Sequence, residues 1–163
     1  MSDVVRELFD EFQRDHETLG RGLHAIASAL RAGDDGQAGA AARELNHTAG
    51  AHIAFEERHF YPELRKLLGN PEVEAFENDH ARGVQAIARL VTLQPSESLT
   101  AAQRDGLLQD VAAMQAHTDE CGEHFGAIGR VPLSRQEAFL AALRQLRVQS
   151  PTWTSVAKQG HTQ

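Results

Sequence analysis

Four helical stripes of apolar residues run along this chain, and a histidine breaks each of them in register. In the first, Val5, Leu8, Phe12, Leu19, Leu23, Ile26 and Leu30 recur at the three-and-four spacing of one helix face. His16 fills the gap between Phe12 and Leu19. The second stripe reads Ala41, Leu45, Thr48, His52, Phe55 or Glu56, Phe60 and Leu64. The third reads Val73, Phe76, His80, Val84, Ile87 and Leu90. The fourth reads Leu107, Val111, Met114, His117, Cys121, Phe125 or His124, and Ile128. Burying a polar group without a partner costs roughly 2–7 kcal/mol. Four imidazoles and a carboxylate in one core therefore need a common partner. A transition-metal ion satisfies them together, because imidazole and carboxylate are both good ligands.

The periodicity is helical nearly throughout, with no useful run of period-two alternation. Turn residues break it at GDDG (33–36), LGNPE (68–72), QPSES (94–98), GRVPLS (129–134) and after Ser150-Pro151. Helices are expected over about 3–32, 37–68, 71–93, 100–128 and 135–149. Asn70-Pro71, Thr100 with Gln103, and Ser134 with Glu137 supply start signals. Pro62 is expected to kink or end the second helix locally. Long helices joined by short loops predict an all-α, up-down-up-down four-helix bundle. The fifth helix, amphipathic with Phe139, Leu140, Leu143, Leu146 and Val148, is expected to cap it within a domain covering 1–150. The tail 151–163, with Trp153 and His161, is expected to be irregular.

The chain has 163 residues, enough for one domain with a real core, and a net charge of −7. That charge argues against a nucleic-acid partner, which needs a basic face. The lone cysteine, Cys121, excludes an intrachain disulfide framework. MSDVVRELFDEF has no basic start followed by an apolar run, so no secretory signal is expected. No stretch approaches the ~20 apolar residues of a membrane helix. These features predict a cytoplasmic protein without a membrane partner, monomeric or a homodimer.

An internal repeat sharpens the metal reading. Asp15-His16 recurs as Asp79-His80, and His52-x-x-x-Glu56-x-x-His59-Phe60 recurs as His117-x-x-x-Cys121-x-x-His124-Phe125. Two equivalent hairpins around a pseudo-twofold axis suit two metals sharing a bridge better than one isolated ion. His24 and His47 lie off the stripes and read as surface residues. Glu57 reads as a solvated charge. Asp15 and Asp79 either orient other groups or sit at the surface.

DHETL (15–19), HIAFEERHFYPEL (52–64) and ENDH (77–80) resemble the hemerythrin family in its broader HHE cation-binding form. The pattern covers roughly residues 10–128, with His16, then His52 and Glu56, then His80, then His117. The resemblance implies a bundle holding a non-haem centre of two iron ions with an oxo or hydroxo bridge. It also implies an open position for O2, nitric oxide or peroxide, in sensing, scavenging or a redox response. The sequence departs from the pattern at Cys121, which replaces a bridging carboxylate. Three readings of that site stay open. Cys121 is a thiolate ligand, or Glu120 substitutes for it, or Cys121 is a small buried hydrophobe beside an incomplete site. His59 and His124 each return to the motif face, as ligands or as orienting groups. A redox-inert zinc bundle acting through a protein partner is the alternative reading, since cysteine and histidine suit zinc. A ferritin-like di-iron oxidase is a lesser one, because the first and fourth stripes offer His16, His117 and Cys121 where it needs carboxylates.

Overall fold

The computed structural model describes residues 2–160. Helix α1 spans Asp3–Arg31, α2 Asp35–Phe55, α3 Tyr61–Leu68, α4 Asn70–Val91, α5 Ala101–His124, α6 Leu133–Gln149 and α7 Trp153–Gly160. A π-helical turn, Glu56–Phe60, joins α2 to α3, and a 3-10 stretch, Phe125–Arg130, follows α5. Among the described residues there is no strand, and no helix is long and apolar enough to cross a membrane.

The long rods pack in chain order. Helix α1 lies against α2 and α5, and α4 lies against α2 and α5. This is the expected up-down-up-down bundle. Its start signals divide. Ser2 accepts from the Val5 amide, Asp34 from the Gln37 amide, and Thr100 with Gln103 forms a complete capping box. Asn70 and Ser134 do not cap. Helix α4 already includes Asn70, with Gly69 before it at φ 95°, and α6 begins at Leu133 after Pro132. Pro71 sits within the first turn of α4, where its missing N–H costs no helical bond, and Pro132 precedes α6 in an extended conformation.

The second helix is not continuous. At Pro62 the missing N–H and the ring's clash with the carbonyl four residues earlier disfavour an ordinary α turn. The chain widens instead, and the Tyr61 amide bonds back five residues to the Glu56 carbonyl. Helix α2 itself is buried on several sides, because α1, α4, α6 and α7 all pack on it. Its buried residues include Ala38, Gly39, Ala41, Ala42, Ala49, Gly50 and Ala54, whose short side chains allow that crowding.

The tail is a correction. Instead of irregular chain, residues 153–160 form α7, docked on α2 and α4. Trp153 is 1% exposed. A Cβ at Gly83 would meet the Trp153 ring at 2.8 Å, and one at Gly50 would collide with the Pro151 carbonyl. These two glycines are the sockets for the segment. Buried Asn46 latches it, donating to the Thr154 hydroxyl at 3.2 Å and accepting from the Thr154 amide at 3.0 Å. His161 lies outside the described residues. Trp153→Ala is expected to cost about 3–5 kcal/mol, the range for deleting a fully buried large aromatic. Urea unfolding measures it, and an unchanged midpoint would show that α7 contributes nothing to the fold.

Candidate metal centre

The four stripe histidines meet at one carboxylate in the middle of the bundle. Glu56 comes from the start of the π turn, and His52 from one helical turn before it. His16 arrives from α1, His80 from α4 and His117 from α5. Each oxygen of Glu56 faces its own pair of imidazoles. His16 Nε2 is 3.2 Å from Oε1, and His52 Nε2 also contacts Oε1. His80 Nε2 is 3.1 Å and His117 Nε2 3.6 Å from Oε2. Cys121, fully buried, lies within one donor cluster with His16 and Glu56, while Glu56, His80 and His117 form another. Glu56 belongs to both.

The far nitrogens of the rings face acids. His52 Nδ1 is 3.3 Å from Asp15 Oδ2, His117 Nδ1 3.4 Å from Asp79 Oδ2, and His80 Nδ1 2.9 Å from Glu57 Oε1. Asp15 is in turn held by Arg147 of α6, whose Nη2 donates to both carboxylate oxygens at 2.8 Å. The capping helix therefore reaches the centre through Arg147, Asp15 and His52. This corrects the reading of Glu57, which is a partner of His80 rather than a solvated charge. It also resolves Asp15 in favour of orientation, while Asp79 faces His117 Nδ1 without hydrogen-bonding it. A carboxylate at Nδ1 fixes the ring and leaves Nε2 free to act as a ligand.

The electrostatics follow from burial. Glu56 is 1% exposed. Burial alone would raise its pKa, but the charge of His52 and hydrogen bonds from His117, His16 and His52 outweigh that and hold it well below its ordinary 4.5. Burial alone would likewise lower His52 and His80. The charge of Glu56 and the hydrogen bond to Asp15 raise His52 to about 9, and hydrogen bonds to Glu56 and Glu57 raise His80 to about 9. His16 moves the other way, lowered by burial against the pull of Glu56. Burial, reinforced by the nearby Glu56 charge, pushes the Cys121 thiol well above its ordinary 9.

Other expected residues lie outside this cluster. His59 sits within the π turn, which rotates it off the motif face, and its ring is stacked 6.0 Å from Phe55. His124 donates from Nδ1 to the Glu120 carbonyl at 2.8 Å and packs against Phe76. Glu120 is exposed, as are His24 and His47. One central residue was absent from the expected set. Tyr61 is fully buried, and its hydroxyl donates to Glu56 Oε2 at 2.6 Å. The π turn explains it: a wide turn brings the residue five positions after Glu56 onto the same face. The available signal was Pro62, immediately after the chain's one tyrosine.

The donor set fits a bound cation. The donor atoms of Glu56, His80 and His117 lie within 4.8 Å of one another, and those of His16, Glu56 and Cys121 converge likewise. His80 Nε2 and His117 Nε2 lie 3.0 Å apart. His80, with its pKa raised to about 9, holds a proton among these atoms, and a bound cation would take that proton's place. His16 is the most open of the four, with 12% of its side chain exposed against 1–3% for the others. It borders a surface groove of about 530 Å³ with Gly20, Thr118 and Gly122.

A helical bundle with a buried cluster of histidines around a shared carboxylate defines a cation-binding bundle. The family model for the hemerythrin HHE cation binding domain matches residues 7–126, and the chain belongs to that family. No curated protein and no solved structure matches it.

The raised histidines set the pH dependence of the metal-free protein. His52 and His80 titrate near 6.5 when unfolded and about 9 when folded. Their stabilisation is complete below pH 6.5 and is lost as pH rises through about 9. Glu56 contributes in the opposite sense, losing its stabilisation as pH falls below its ordinary 4.5. Thermal melts in chelator are expected to show Tm falling from pH 6.5 to 9.5. A flat profile there would contradict the charged Glu56–imidazole cluster.

Proposed function

We propose that this chain holds two iron ions at Glu56 and binds or reacts with O2, nitric oxide or peroxide through them. The observation that supports this reading is the division of Glu56, one oxygen toward His16 and His52, the other toward His80 and His117. A carboxylate so placed can serve two ions at once, one beside each imidazole pair. In this reading His16, His52 and Cys121 serve one position, and His80 and His117 the other.

Bound iron would supply one-electron redox chemistry and a coordination position for a small ligand. The protein's own residues do the rest. Asp15 and Glu57 orient His52 and His80, and Asp79 faces His117. Phe12 lies flat on Phe125 at 3.7 Å and covers His16 and His52, and Phe76 packs on His117, so the centre is shielded from bulk water. His16, the most exposed of the four histidines, borders the groove at Gly122, and His80 borders a second, larger groove with Glu57 and Trp153.

Metal content and an optical spectrum, before and after dithionite, test the proposal on protein purified without added metal. The expected result is about two irons per chain, one for each imidazole pair, with near-ultraviolet and visible bands that bleach on reduction. Stoichiometric zinc with a featureless spectrum would overturn the redox reading and favour a metal-sensing or structural bundle.

A further inference from the structure

The geometry points to Tyr61 as a metal ligand, its phenol oxygen completing the position built by His80, His117 and Glu56. The inference rests on the two-ion reading and goes beyond it, because it adds a donor that the histidine-and-carboxylate pattern does not contain. Tyr61 Oη is 2.6 Å from Glu56 Oε2, 3.0 Å from His80 Nε2 and 3.1 Å from His117 Nε2. The remaining separations within this group are 3.1 Å (His80 to Glu56), 3.6 Å (His117 to Glu56) and 3.0 Å (His80 to His117). Four donor atoms thus stand at the corners of a compact, slightly uneven tetrahedron. A regular tetrahedron with edges of about 3.1 Å has its centre about 1.9 Å from each corner, close to the ~2.0–2.2 Å of metal bonds to nitrogen and oxygen. The cage is the size of one ion.

The phenol proton is directed at Glu56, which leaves the lone pairs of the oxygen facing the two imidazole nitrogens. A cation at the centre of the four atoms would replace the protons that otherwise hold them together. The repeat supplies an independent reason. The position equivalent to Glu56 in the second half is Cys121, so that half has lost its carboxylate. The position equivalent to Tyr61 is Gly126, so the phenol occurs once, on the half that kept the glutamate. Tyr61 supplies an anionic oxygen where the repeat no longer does. Cys121 Sγ lies 4.0 Å from the phenol oxygen, toward His16, and stays with the other position.

Ligation breaks the Tyr61 O–H bond heterolytically. The oxygen keeps the electron pair and donates it to the ion, the proton passes to solvent buffer, and nothing is oxidised or reduced.

The chain contains one tyrosine, so any tyrosinate signature belongs to Tyr61. The test is to load metal-free protein with ferrous iron under nitrogen, oxidise it in air, and record visible absorption and resonance Raman spectra. The expected result is a phenolate-to-iron(III) band whose excitation enhances tyrosinate ring modes. These modes should shift in protein grown on ring-deuterated tyrosine, and should be lost in Tyr61→Phe. The labelled wild-type protein decides the question even if that variant fails to fold. Bound iron without tyrosinate modes would overturn the assignment and leave the two-ion reading standing. Failure to bind iron at all would overturn both.

Discussion

Everything in this bundle is arranged around one buried carboxylate. Moving an isolated charge of that size out of water carries a penalty of several kcal/mol even after relaxation. Glu56 avoids it by collecting His16, His52, His80, His117 and Tyr61 around its two oxygens. Those partners are themselves too polar for an apolar core. Acids at their outer nitrogens hold two of the rings, a third acid faces His117, and Arg147 from a capping helix holds one of those acids. The chain of dependence runs from the surface of α6 to the middle of the bundle. It makes the centre a stiff arrangement whose donor atoms already converge.

The two halves are related but unequal. Asp15 faces His52 across α1 and α2, and its equivalent Asp79 faces His117 across α4 and α5. Phe12 and Phe76 cover the two sides in the same way. The symmetry then breaks on one helical turn. Glu56, Glu57 and Tyr61 have Cys121, Gly122 and Gly126 as their equivalents. The first half therefore supplies the oxygen donors, and the second supplies a thiol and an opening beside His16. In the two-ion reading the positions differ in their donors, a thiol beside His16 and a phenol beside His80 and His117.

Much of this was legible in the sequence because helical periodicity records burial directly. His16, His52, His80 and His117 stood in apolar stripes, and a bundle brings four such stripes together without further information. What escaped was set by departures from the ideal helix. Pro62 forces a wide turn, and that turn carries Tyr61 into the centre and His59 out of it. Regular three-and-four spacing assigns both residues to the wrong face. Trp153 escaped for another reason. Its burial depends on Gly50 and Gly83, two residues on different helices whose lack of side chains becomes a socket only after folding. Glu57 read as solvated because its partner, His80, lies on another helix and is invisible to local pattern.

The claim on which the account depends is that Glu56 serves two ions, one on each oxygen. Anomalous diffraction at the metal edge from crystals of the metal-loaded chain tests it directly. The account predicts two peaks flanking Glu56, one against His16 and His52 and the other against His80 and His117. A single peak, or peaks that leave either imidazole pair without a metal, would contradict it.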